Sequence, residues 1–453
     1  MSDEQVTNQE PAEPPVKKSA FEWWMLSNFA VGAGFAAFVA LLIPPYVTEV
    51  TGSAADAGIV MMFISLAAVL APVIGNFADR YSAHRLVLTL GVAGMGVAFA
   101  MYGLSADNSA VLALDALIMG VSIAAQQSVA PVFVIAAGLD KGTQAKRLTT
   151  LNLVYPAGQV VGGALLAIAA SASLGYSERF WIAAIFMGVS TVVTWFGSAK
   201  AAKRIQSSPP PSKEQVGKTR KSGLKAVLLS TFGLYLAILV LSSIANNGIN
   251  NQIANILPNV YGIDAASTSA LIALAGLLGL AFYPIAGWWM ARRGGLSTFT
   301  IGAVMRLVGS LALAILGLVT GSPILLVAAA MQTLYQASPF IRMAQPVVAV
   351  RFSTFGAGAA AGWVIGASAV GSAIGSLLGG WLAQNVGFNA INWMGVISAA
   401  LSVVLLFIYL WPAERRKRKE EQGGDDGSPD DAPTDDQPDD ITAKGAHDVP
   451  VHA

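Results

Sequence analysis

Apolar runs of about twenty residues follow one another along most of the chain, separated by short polar breaks. They fall near 21–45, 56–77, 85–104, 109–138, 147–172, 179–199, 224–257, 266–290, 297–320, 322–350, 355–384 and 389–411. About 20 apolar residues of helix cross the ~30 Å hydrocarbon core of a bilayer, so the pattern predicts twelve transmembrane helices. The first run, FEWWMLSNFAVGAGFAAFVALLIPPYV, is too long for the apolar core of a signal peptide and lacks a small-residue cleavage context. It is expected to remain in the mature chain.

Three stretches break the pattern. Residues 1–20 form a polar tail, and 200–223 a basic, Pro/Ser-rich linker that divides the spans six and six. Residues 413–453 begin with RRKRK and continue into GGDDGSPDDAPTDDQPDD, too poor in apolar side chains to fold alone. The expected organisation is a tail (1–20), a six-helix half (21–199), the linker (200–223), a second half (224–412) and a disordered acidic tail (413–453).

Basic residues fall in the even-numbered connections: Arg80 and Arg85, then Lys141, Lys146 and Arg147, the stretch 200–225, Arg292 and Arg293, and Arg351. The odd-numbered ones hold Glu49, Asp56, Asp107, Glu178, Arg179 and Asp264. Because basic loops stay inside, both termini are expected in the cytoplasm and the chain in the plasma or inner membrane.

Composition narrows the function. The 453 residues are 55% hydrophobic and 12% charged, with a mean hydropathy of +0.60, against roughly 25% charge in soluble domains. With no cysteine and three histidines (His84 alone, His447 and His452 in the tail), Cys chemistry and His-built metal sites fall away. A net charge of +1 leaves no footprint for nucleic acid. The spans hold no Ser/His/Asp set and no paired carboxylates, and no nucleotide-binding Gly-Lys loop appears. No enzyme activity, cofactor or direct ATP drive is expected.

The two halves repeat. APVIGNFADR in span two parallels YPIAGWWMARR in span eight, matching Pro72 with Pro284, Gly75 with Gly287 and Arg80 with Arg292. GQVVGGALLA in span five parallels GSLLGGWLA in span eleven, matching Gly158, Gly162 and Gly163 with Gly375, Gly379 and Gly380. Pro44 and Pro258 pair at the ends of spans one and seven. Small residues on one helical face let another backbone approach closely.

The six-plus-six layout, the basic central loop and GNFADRYSAHR between spans two and three resemble the major facilitator superfamily, over residues 20–412. Its loop motif, approximately G-x-L-A-D-R-x-G-R-R/K, is matched by Gly75, Ala78, Asp79 and Arg80; Phe77 replaces Leu, Ser82 the second glycine, Ala83 an arginine and His84 a basic residue, with Arg85 one place later. The resemblance implies an all-α membrane protein, two six-helix halves about a central cavity, and alternating access. It also implies that Gly75, Asp79, Arg80 and Arg85 gate the cytoplasmic end, latching it in the outward-facing state. Ala291 stands where the second copy would need its Asp, and Ala116 about where the family's span-four arginine would be.

Polar side chains inside hydrocarbon are costly unless they face a cavity or a partner. Past their entry residues, spans three and six carry no amide or charge, nor does the core of twelve, and span nine has only Arg306, read as structural. Asn28 lies in span one, Asp115, Gln126 and Gln127 in span four, and Gln332, Gln336, Arg342 and Gln345 in span ten. Span seven holds Asn246, Asn247, Asn250, Asn251, Gln252 and Asn255. The resemblance puts spans one, four, seven and ten around the cavity, and the polar residues follow the same alternation. Amides donate and accept, which suits a polar solute, and Gly248 and Pro258 are expected to let span seven bend. The substrate-binding set is therefore Asn28, Gln126, Gln127, Asn246, Asn247, Asn250, Asn251, Gln336 and Arg342.

Arg342 suits an anionic group on the solute or an escape of its head to the inner interface. Asp115 is either a proton-coupling carboxylate or a helix-start carboxylate near the headgroups. The expected function is secondary transport of a small polar organic solute by a monomer in the lipid bilayer, with protons an open choice of coupling ion. An exporter of amphipathic compounds and a non-transporting sensor are the alternatives.

Overall fold

The computed structural model describes residues 20–104, 109–135, 141–207, 229–319, 321–353 and 357–423. Among them are twelve helices long and apolar enough to cross a membrane. They are α1 (Trp23–Thr51), α2 (Ala54–Arg80), α3 (His84–Leu104), α4 (Ala110–Ile135), α5 (Lys146–Ser171) and α6 (Tyr176–Gly197). The second half comprises α7 (Thr231–Asn250), α8 (Ala265–Arg293), α9 (Gly295–Leu316), α10 (Ile324–Phe352), α11 (Ala360–Asn385) and α12 (Asn389–Glu420). The described residues contain no strand. Side-chain caps start several helices: Ser53 accepts from Asp56 N, Ser230 from Gly233 N and Asp264 from Ser267 N, each satisfying an amide the first turn leaves open.

Helix packing repeats with a period of six. In the first half α1 packs on α5, α3 on α4 and α6, and α2 on α4; in the second α7 packs on α11, α9 on α10 and α12, and α8 on α10. The halves join through α5 on α8 and α11 on α2. Successive crossings give the bundle two ends. We call basal the end that holds Glu22 and Glu414, and distal the end that holds Thr51 and Tyr261.

The glycine triplets explain this packing. A Cβ on Gly162 would lie 2.9 Å from Ala33 Cα of α1, and one on Gly375 2.7 Å from the Ile244 carbonyl of α7. These glycines hold each half together. The last of each triplet faces the other half instead: a Cβ on Gly163 would come within 2.7 Å of Ala273 N on α8, and one on Gly380 within 2.7 Å of Gly58 Cα on α2. Those contacts lie toward the distal end, where Ala54 N also donates to Gln384 Oε1 and Ser372 to Ser65.

The apolar core follows suit. One cluster unites distal residues of both halves, including Met61, Ile64, Ile253 and Leu334. Toward the basal end it splits in two, one around Trp24, Phe133 and Ala201 and one around Tyr235, Phe299 and Phe352. A Cβ on Gly75, Gly362 or Gly366, in the basal parts of α2 and α11, would meet nothing within 4 Å. The bundle is shut distally and parted basally.

Three segments depart from the sequence expectation. Span seven is broken: α7 stops at Asn250 and a separate helix covers Ile253–Tyr261. The stretch from 413, expected to be disordered, begins as helix, with Trp411–Gly423 continuing α12; Glu414 accepts from Arg351 and Arg418 there. The linker expected over 200–223 likewise starts as a helix, Ala199–Ser207. Residues 1–19, 208–228 and the acidic stretch from 424 lie outside the described residues.

Candidate functional site

Three adjoining cavities occupy the middle of the bundle, and Arg342 lines all of them. Their empty volumes, open solvent included, are about 710, 1350 and 560 Å³, enough for a small organic solute. The widest runs between the parted basal segments of α2 and α11, past Ala68, Val364 and Ser368. The innermost ends where α5 and α8 close, at Pro156, Gln159, Ala275 and Gly279.

Local irregularities shape the walls. In α1 the segment Gly34–Val39 is a π-turn, an insertion that widens a helix and often marks functional sites. It sets Phe35 and Ala36 against the cavity. A Cβ on Gly34 would come 2.6 Å from Met187 Cε, so glycine lets the wide turn seat on α6. In α7 the break follows Asn250, leaving Asn246, Asn247, Asn250 and Asn251 on the cavity. Beyond it Asn255 turns to the distal seam and donates to Thr48 of α1 at 3.0 Å. The bend falls between Gly248 and Pro258 rather than at either, because Gly248 packs on Gly375 of α11.

The expected binding residues divide. Asn246, Asn247 and Asn250 are half-buried in the wall. Asn247 donates to Ser243 O at 3.1 Å, leaving its side-chain oxygen to the lumen and to Asn246, and the Asn250 oxygen has no partner. Asn251 donates to Ser376 at 2.7 Å and Gln336 to Ala275 O at 3.0 Å, so both fix helices while bordering the lumen. Asn28 borders the basal cavity and donates to Leu151 O of α5 at 2.7 Å, and Gln127 lines two cavities. Gln126 faces elsewhere. It is 0% exposed, bonded to Ser27 and packed against Gly91 of α3; adjacent helix positions point about 100° apart, and its neighbour holds the lumen face.

Asp115 is 0% exposed, interacts electrostatically with Tyr102, and lines none of the three cavities. At the basal gate, the Asp79 side chain is 67% exposed and pairs with His84 at 2.8 Å, a residue of its own half. Arg80 lies over Tyr81, and Arg85 donates to Trp195 O while covering that indole at 3.9 Å.

Several lining residues escaped the sequence reading. Tyr155 of α5 and Tyr283 of α8 both line the cavities beside Arg342, whose guanidinium lies 5.0 Å from the Tyr155 ring. These are the chain's two Tyr-Pro dipeptides, a signal that was available. Tyr335 completes the aromatic wall. Arg306, assigned a structural role on an outer helix, reaches past α7 to the lumen and donates to the Ser242 carbonyl at 2.9 Å.

The family model described as Major Facilitator Superfamily matches residues 24–337 and 226–442. Among solved structures, the nucleoside transporter NupG is similar at 15% identity, with 86% of this chain and 97% of that one covered and a TM-score of 0.65. The human organic anion transporter MFSD10 (TETRAN) is similar at 15% identity over 85% of this chain and 98% of that one, with a TM-score of 0.59. No curated protein sequence matches significantly. Identities this low carry the fold and not the solute, but the family match runs through both six-helix halves: the chain belongs to the Major Facilitator Superfamily.

Proposed function

We propose that the chain is a secondary transporter that carries a small polar organic solute through the cavity between its halves by alternating access. The observation that carries this reading is the run of amides on α7 at a cavity that runs, among the described residues, between the basal segments of α2 and α11. One amide is ordinary helix glue worth about 0.6–2 kcal/mol; four bordering one lumen, with the buried oxygens of Asn246 and Asn250 unpaired among the described residues, exceed what packing needs. The lysine and arginine bias of the loops assigns the basal end to the cytoplasm, which makes this an inward-open conformation.

The gate residues fit that state. With Gly75 facing open space and Asp79 held by His84 of its own half, the latch expected of Gly75, Asp79, Arg80 and Arg85 is released. Closing the basal end would bring α2 against α11, where Gly362 and Gly366 leave room.

The test is flux of radiolabelled polar solutes into proteoliposomes, with and without a pH gradient, for wild type, N246A/N247A and D115N. At least one solute is expected to exchange above protein-free vesicles, with loss in the double variant. D115N is expected to keep its flux and its response to the gradient, since the carboxylate does not reach the lumen. No flux from any solute, together with no binding change in N246A/N247A, would point to a non-transporting sensor.

A further inference from the structure

We infer that the solute is an organic anion, its negative group received by Arg342 with Arg306 as the second positive charge of the wall. Among the described residues lining the three central cavities, Arg306 and Arg342 are the charged ones, and none is a carboxylate. Acidic residues lie elsewhere: Asp115 in the packed core of the first half, Glu49 at the distal cavity, Glu22, Asp79 and Glu414 at the basal end. An arginine at membrane depth is costly, and a cavity that holds one marks a functional path. Two arginines feeling each other's charge, with no acid between them, call for an anion from outside the chain.

Their hydrogen bonding agrees. Arg342 is exposed although it lies at the meeting of three cavities, so its free surface is lumen surface. Tyr155 and Tyr283, one from each half, border the same cavities as the guanidinium, but phenols are neutral and leave its five donors for a ligand. Arg306 is 5% exposed, its Nη1 bonded to Ser242 and its Nε without a partner among the described residues. Guanidinium matches the geometry of carboxylate and phosphate. The α7 amides then meet the uncharged polar body of the same molecule, and Phe35 and Tyr335 its apolar part.

This deepens the transport reading, and its test requires no transport. The chain has no cysteine, so a single one at Ser338 or Ser368, both on the cavity wall, reports local potential through its reaction rate. The probes are anionic 2-sulfonatoethyl methanethiosulfonate and its cationic trimethylammonioethyl counterpart, each normalised to its rate with free 2-mercaptoethanol. At S338C the anionic reagent is expected to win by about tenfold or more, the scale of a focused cleft potential. R342Q should cut that ratio severalfold, R306Q should lower it less, and R342K, which keeps the charge, should restore it. Equal rates, a cationic preference, or a ratio unmoved by R342Q would overturn the inference, and S368C repeats the measurement should S338C fold poorly. Flux without the ratio would retain the carrier and discard the anion; the ratio without flux would do the reverse.

Discussion

The two halves are packed by the same device and present different chemistry to the lumen. Gly158 and Gly162 seat α5 on α1 as Gly375 and Gly379 seat α11 on α7, and Gly163 and Gly380 each reach across to the opposite half. Yet α1 offers the cavity Phe35, Ala36 and Ala40 where its counterpart α7 offers four asparagines. Likewise α4 contributes Gly120, Ile123, Ala124 and Gln127, while α10 contributes Ser338, Ile341, Arg342 and Gln345, the charge among them. Packing depends on backbone approach and tolerates few sequences, so the repeat survives there. Recognition needs an asymmetric surface for an asymmetric molecule, so it diverges.

The largest effect should come from striking the shared device. Valine at Gly380 places a Cβ 2.7 Å from Gly58 Cα, and at Gly163 one 2.7 Å from Ala273 N. Overpacking of this kind costs about 1–3 kcal/mol, here levied on the distal-closed state alone, an equilibrium shift of roughly 5- to 150-fold. Flux should collapse in G380V and G163V, and distal cavity positions should become more accessible to thiol reagents, with the melting temperature little changed. G375V, which clashes inside its own half at the Ile244 carbonyl, should instead lower the melting temperature. If all three variants behave alike, the division of labour within the triplet is wrong.

A smaller effect separates the lumen walls. Each neutral hydrogen bond is worth about 0.5–1.5 kcal/mol, so losing two in N246A/N247A should raise KM by roughly 5- to 150-fold. F35A, on the equivalent helix of the other half, should change it by less than about threefold. Comparable losses on both sides would erase the asymmetry.

What could be read from sequence follows the same line. Twelve spans and the period of six were legible because apolar length and glycine spacing are local properties. The α7 amides and Arg342 stood out because such residues are rare at membrane depth. Gln126 and Gln127 were beyond reach: one faces the first half's interior and the other the lumen, and a rotation of a single position decides it. Arg306 misled because α9 stands behind α7, and only the length of arginine carries its head past Ser242. Tyr155 and Tyr283 pair α5 with α8, a contact between halves that the n, n+6 repeat does not flag.

The smallest expected effect concerns the basal ends of the halves, which are braced alike by different residues. In the first half Glu22 meets Arg147 at 2.6 Å and Arg204 at 2.6 Å; in the second Glu414 meets Arg351 at 3.1 Å and Arg418 at 2.9 Å. Partial burial raises the Glu22 pKa, but hydrogen bonds from Arg204 and Trp24 and the charges of Arg204 and Arg147 outweigh it, holding the carboxyl below its ordinary 4.5. A depressed carboxylate pKa adds stability that is fully present above the unfolded value and fades as pH falls through the folded one. The melting temperature in detergent should therefore drop on acidification below about pH 4.5, and E22Q should flatten that part of the slope while sitting lower at neutral pH. Both ionic partners of Glu22 are arginines on other segments of its half, so the loss should fall on the first half and leave Asn247-dependent binding intact. An acid limb that keeps its slope in E22Q would move the pH sensitivity to another carboxylate and leave the N-terminal brace a matter of packing.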